Sequence, residues 1–370
     1  MKTFFLTILA LYLAANVYTA IRIYQLIPTN LWLRIAVMGI FVLGFVSLII
    51  FFRFGETMPA GTAGFFYQFG TSWMIAFLYI FILVLFVDLF RIINHFAHMV
   101  DKETVRGLFH HNAITSVIGF GIVALILGFG NWQYHNKKRS HITITTDKIE
   151  NPIRIVGISD LHLGYTISKK ELTKWIEMIN AEKPDMVIIG GDLLDNQLRP
   201  VLMHSLDREL QKIAAPLGVY ACTGNHEYIS GIKNSVDFYN RAGITLLRDS
   251  VFQMNGLTII GREDHSYKNR KALSELTKNV DKQTFSVLLN HQPYNLDETV
   301  QEGIDFQFSG HTHRGQVFPA SLITDKIFEL SQGYLQKGNT HFYVSSGLGI
   351  WGGKFRIGTR SEYLVLDLVK

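Results

Sequence analysis

The stretch "IRIVGISDLHLG", residues 153–164, decides how the larger, C-terminal part of this chain is read. Its first half is a β-branched run of the kind found in strands covered on both faces. It ends on Asp160 and His162, two polar groups set just beyond the strand. The arrangement then recurs. "MVIIGGDLLDNQ" (186–197) brings Asp192 and Asp195 after its apolar run, and "GVYACTGNHEY" (218–228) brings Asn225, His226 and Glu227. "FSVLLNHQP" (285–293) brings His291, and "DFQFSGHTH" (305–313) brings His311 and His313.

Between the first two runs lies "KKELTKWIEMINAEK" (169–183), with Leu172, Trp175, Ile176 and Ile179 on one helical face. Beyond residue 243 short strands dominate, ending in "EYLVLDLV". This order predicts an α/β domain of two packed sheets flanked by helices. In such sheets ligand sites form beyond the carboxyl ends of strands. Separate loops arriving there can converge on one point.

The donor types indicate the chemistry. Carboxylate, imidazole and amide oxygen together suit divalent Mn, Fe or Zn. The set is larger than the roughly four to six positions one ion offers, so two divalent metal ions are expected. Two cations about 3.5–4 Å apart can stabilise both oxygens of an in-line phosphoryl displacement. The paired histidines of "GHTH" can then each serve a different ion.

Charge is distributed unevenly along the chain. Of 35 basic and 30 acidic residues, giving a net charge of +5, residues 1–136 hold few: Lys2, Arg22, Arg34, Arg53, Arg91, Lys102, Arg106, Glu56, Asp88, Asp101 and Glu103. No dense Lys/Arg stripe appears, so nucleic-acid binding is not expected. The single Cys222 excludes an intramolecular disulfide framework and reads as a buried small apolar residue.

Four apolar stretches in the first 140 residues, at about 3–24, 33–53, 68–90 and 112–134, are long enough to span a bilayer as an all-α transmembrane domain. A cleaved signal peptide is the competing reading of the first. It lacks a clean A-x-A site, and three more spans follow. Trp32, Trp73 and Trp132 fall where headgroup-level rings are expected. Loop charges tie between the two orientations, and "KKR" at 137–139 favours a cytoplasmic domain 141–370 in a multi-pass protein of the cell membrane. His95 and His98, at i, i+3, read as interfacial helix packing. Lys354 and Arg356 read as a solvated rim, with contact to substrate phosphate as the alternative, and His204, His265 and His341 as ordinary surface or packing residues.

The blocks "DLH", "GDLLD", "GNHE", "NHQP" and "GHTH" occur in the order seen in the calcineurin-like metallophosphoesterases, which residues 150–370 resemble. With four spans in front, the chain resembles the transmembrane proteins with a metallophosphoesterase domain. The resemblance implies an αββα sandwich. It implies Asp160, His162 and His313 on a first metal, Asp192 shared by both, and Asn225, His291 and His311 on the second. His226 would be the general acid, Asp195 its orienting partner and Glu227 a structural support. The expected activity is hydrolysis of a phosphodiester or pyrophosphate, on a lipid-linked or nucleotide-linked substrate, with membrane lipid as a further partner. Two alternatives stay open: a membrane sensor or transporter-like module carrying a regulatory phosphoesterase domain, and a protein phosphatase. The second is weakened by Asn196, where protein phosphatases of this superfamily usually carry arginine.

Overall fold

The structure is a computed structural model that describes residues 2–254 and 256–370, with side chains from Leu6 onward. The chain divides into two compact units, Met1–Asn131 and Trp132–Lys370.

The first unit contains α1 (Lys2–Leu26), α2 (Leu31–Phe54), α3 (Ala60–Ala97), the short α4 (Lys102–Phe109) and the beginning of α5 (Ala113–His135). The four long helices are long and apolar enough to cross a membrane. Helix α3 is 38 residues, longer than the expected 68–90, because the uncharged "AGTAGFFYQFGTS" ahead of its most apolar part is also helical. That extension changes the reading of Trp73. It lies in the interior of α3, 7% exposed, with its ring against Phe41 and over Gly44, where a Cβ would meet the indole at 2.3 Å. Glycine at 44 lets the two helices approach closely. Trp32 and Trp132 are exposed, as headgroup-level rings are.

Asp88 is buried in this unit, pairing with Arg22 at 2.7 Å and Arg91 at 3.0 Å and accepting from the Tyr18 hydroxyl. A charge at such a place persists only when paired.

Among its described residues the second unit holds twelve strands: β1 (Lys138–Thr145), β2 (Ile153–Ile158), β3 (Met186–Ile189), β4 (Val219–Ala221), β5 (Thr245–Leu246), β6 (Ser250–Met254), β7 (Leu257–Gly261), β8 (Phe285–Leu289), β9 (Phe306–Ser309), β10 (Gly333–Lys337), β11 (Thr340–Val344) and β12 (Glu362–Val369). They form two six-stranded sheets, ordered β1-β12-β2-β3-β4-β5 and β10-β11-β9-β8-β7-β6. Within them β2, β3 and β4 run parallel in one sheet, and β7, β8 and β9 in the other.

Alternation along each strand sorts the cores. Ile155, Ile188 and Leu364 of one sheet meet Ile259, Val287, Phe306 and Phe308 of the other. The opposite faces of the first sheet, Val156, Ile158, Val187 and Ile189, pack on Trp175, Ile176 and Ile179 of α6 (Lys169–Ala181). Ile260 and Leu288 on the far side of the second sheet meet Leu273 and Leu276. The layers are therefore helix, sheet, sheet, helix, the αββα order expected from the family resemblance.

Candidate metal centre

Each donor-bearing loop leaves the carboxyl end of a strand: Asp160 follows β2, Asp192 β3, Asn225 β4, His291 β8 and His311 β9. The loops continue the backbone ladder past the strand ends. The Asp160 amide donates to Gly191 at 3.1 Å, His162 to Asp192 at 3.1 Å and Gly310 to His291 at 2.9 Å. These ties hold the donors at fixed spacing.

Five of the donors occupy the left-handed backbone region: Asp160 (φ 53), His162 (φ 47), Asp192 (φ 51), His311 (φ 69) and His313 (φ 46). Non-glycine residues adopt it rarely, and such conformations cluster at functional sites. Two glycines give the carboxylates room. A Cβ on Gly310 would sit 2.3 Å from Asp160 Oδ2, and one on Gly224 would sit 2.1 Å from Asp192 Oδ1.

Donor atoms of Asp160, His162 and His313 lie within 4.8 Å of one another, as do those of Asp192, His291 and His311, and those of His162, Asp195 and His226. His313 Nε2 is 3.4 Å from Asp160 Oδ1 and 3.0 Å from His162 Nε2. Asp192 Oδ2 faces both of the first two groups, 3.2 Å from His291 Nε2 and 3.8 Å from His162 Nε2. Asn225 Oδ1 lies 3.0 Å from His311 Nδ1. His226 Nδ1 is 3.3 Å from Asp195 Oδ1, and its backbone amide donates to Asp192 at 2.9 Å. Glu227 accepts from the amides of Asp192, Leu194 and Gly224 at 3.1, 3.1 and 2.7 Å, a support role. Asp160, His162, Asp192, Asp195, Asn225, His226, Glu227, His291, His311 and His313 thus lie together in one place.

Electrostatics separates these groups. Burial pushes the Asp160 carboxyl up. Burial acts on Asp192 too, but His291 and His226 hold it well below the usual carboxylate range. Burial lowers His311 to about 4, helped by His291, and lowers His313 strongly, helped by Arg356. Both rings are therefore neutral and can offer lone pairs. Burial lowers His291 and His226 too, but the carboxylates around them together prevail: Asp192 and Asp160 raise His291, and Asp192 with Asp195 raises His226 to about 9.

A cation fits this donor set. His162 Nδ1 and His291 Nε2 are buried ring nitrogens without a hydrogen-bond partner, although carboxylates stand nearby. Buried carboxylates and imidazoles crowded in this way need positive charge between them. His291 Nδ1 pairs with the Gly190 carbonyl at 2.7 Å, which leaves Nε2 to face the cluster.

Arg356 departs from the rim expected for it. It is fully buried, donating to the carbonyls of Ser346 at 2.6 Å, Gly349 at 2.9 Å and His313 at 3.0 Å. Lys354 pairs with Glu171 at 2.5 Å. No sequence signal marks Arg356, because its acceptors are backbone carbonyls. His95 and His98 belong to no metal-capable cluster among the described residues.

Residues 153–315 match the family model of the calcineurin-like phosphoesterases. An uncharacterized metallophosphoesterase of Helicobacter pylori strain J99 is 32% identical over 265 residues, spanning 68% of this chain and 70% of its own. A transmembrane protein with metallophosphoesterase domain from Danio rerio is 28% identical over 311 residues, 76% of this chain and 69% of its own. Among solved structures, a 5′-nucleotidase precursor from Thermus thermophilus shares 14% identity at a TM-score of 0.37, covering 59% of this chain and 54% of that one.

Proposed function

The chain belongs to the calcineurin-like metallophosphoesterases and is a membrane-bound phosphoric ester hydrolase; on that premise we propose that it hydrolyses a phosphodiester or pyrophosphate with two divalent cations of the Mn, Fe or Zn type. Asp160, His162 and His313 would hold one cation, Asn225, His291 and His311 the other, and Asp192 would serve both. Bound there, two cations neutralise phosphoryl oxygens and make an attacking oxygen available at neutral pH.

The protein's own residues do the rest. His226, protonated at neutral pH by virtue of Asp192 and Asp195, gives its proton to the departing oxygen. Asp195 orients that imidazole from 3.3 Å. Glu227 and Arg356 fix the backbone from which Asp192 and His313 project.

One observation carries this reading: a single carboxylate, Asp192, lies within 4 Å of imidazoles from both donor groups. Four membrane-crossing helices favour an amphiphilic substrate, lipid-linked or nucleotide-linked, handled at the cytoplasmic face. A cavity of ≈ 200 Å³ in the first unit, lined by Leu83, Val84, Gly119 and Val123 with Arg22 and Arg91, suits a membrane lipid. The test is to purify the intact protein and assay phosphodiester, monoester and lipid pyrophosphate substrates with Mn, Fe and Zn in turn. Metal-dependent turnover of diesters or pyrophosphates is expected. Turnover that persists undiminished in chelator contradicts it.

A further inference from the structure

Arg270 is a partly buried cation held by neutral groups. Its Nη1 lies 2.7 Å from His265 Nε2, and its Nη2 donates to Asn290 Oδ1 at 2.6 Å, while its Nε has no partner. The acidic groups around it are engaged elsewhere. Asp249 accepts from the amides of Glu263 and Lys271, Asp264 from Ser266 and Gln292, and Glu298 pairs with Arg262. Burial, and then the neighbouring Arg262, lower its pKa to about 10, while Asp249, Asp264 and Glu298 pull the other way. Among the described residues none of these carboxylates bonds the guanidinium, whose terminal nitrogens rest on a neutral ring and an amide, a weaker pairing than an anionic oxygen would give.

The surroundings show where that anion would come from. Asn290 immediately precedes His291 of the metal centre. On the other side, His311 packs edge-on against Phe328 with ring centres 6.1 Å apart. Phe328 lies against Tyr294 at 4.9 Å, and Tyr294 meets His265 at 5.4 Å. The contacts leave the centre at His311 and return to it at Asn290. Tyr294 is 39% exposed, so this wall opens to solvent.

We propose that Arg270, with His265 and Tyr294, forms a second anion subsite that takes the leaving phosphate of a diphosphate-linked diester. This rests on the hydrolase reading above and selects the pyrophosphate class within it. Water adds to the phosphorus at the metal centre, and the bond from that phosphorus to the bridging oxygen breaks. The departing phosphate keeps the bonding pair, and the protons of water pass to the products and solvent. The guanidinium offsets the charge that develops on the departing group.

The experiment compares diadenosine 5′,5′-diphosphate with bis(p-nitrophenyl) phosphate, which has no second anionic group, on the intact metal-loaded protein. Arg270→Gln is expected to raise KM for the diphosphate about tenfold or more and to leave KM for the nitrophenyl diester within about twofold. Arg270→Lys should recover part of the loss. His265→Ala, an exposed position whose loss spares the fold, should raise the same KM severalfold. An equal KM change on both substrates overturns the subsite. So does a wild-type protein that turns over the nitrophenyl diester but not the diphosphate. Failure of the wild type on both substrates overturns the hydrolase reading and the subsite with it.

Discussion

His291 and Asp192 meet Nε2 to Oδ2 at 3.2 Å, while the other ring nitrogen of His291 is tied to the Gly190 carbonyl at 2.7 Å. The imidazole is therefore aimed, and it has one nitrogen to give. Without cations that nitrogen keeps a proton, because Asp192 and Asp160 together prevail over burial and raise His291. A cation must displace it. Metal uptake is thus expected to release at least one proton at neutral pH and to weaken as pH falls. Titration calorimetry in two buffers of different ionisation enthalpy counts the protons; a count of zero contradicts this linkage.

His226 is expected to matter most where the leaving group is poor. His226→Gln should lower kcat about 100-fold or more for an alkyl ester, with a smaller effect on a p-nitrophenyl ester. The sign of its pH dependence follows from the raised pKa. The proton is present below about 9 and is lost above it, and cations on Asp192 move that limb downward. Activity on the alkyl ester should fall on the alkaline side, and the fall should be absent in His226→Gln. Equal loss on both esters contradicts the proton-donor role.

Gly310→Ala should disable the centre without unfolding the chain. The new Cβ would press on Asp160 Oδ2 from 2.3 Å, so the carboxylate must turn away. Metal content and kcat/KM are expected to fall, the latter by about two orders of magnitude, with an unchanged far-UV circular dichroism spectrum. Retention of both contradicts the assignment of Asp160.

Arg356→Ala removes a buried cation from three backbone carbonyls and from the support of His313. Buried carbonyls left without a donor cost about 1–3 kcal/mol, which is the expected scale of the loss. Thermal unfolding should shift down, and metal content should fall first on the Asp160–His162–His313 side. A stability change within about 0.5 kcal/mol places Arg356 with ordinary surface residues.

The parts readable from sequence were those whose information is local. Asp160 and His162 come just after a β-branched run, and His311 and His313 just after the strand-like "FQFS", each pair separated by one residue, so strand and donor are seen together. The helical stripe of Leu172, Trp175, Ile176 and Ile179 was legible for the same reason, and these residues do face the sheet. Arg356 was not legible, because what buries it is the carbonyls of Ser346, Gly349 and His313, which composition does not mark. Nor was Trp73, whose place inside the helices depends on Gly44 of α2. The left-handed backbone at Asp160, Asp192 and His313 is likewise invisible in residue type. Parallel pairing of β1 with β12, more than 200 residues apart, depends on the closing of the whole sheet.

The most direct measurement is bound metal per chain, together with kcat/KM on a phosphodiester, for the intact wild type and for Asp192→Asn. Two equivalents of metal with turnover in the wild type, and loss of both in the variant, are the result expected if one carboxylate joins the two donor groups. A variant that hydrolyses the diester at the wild-type rate would contradict the account.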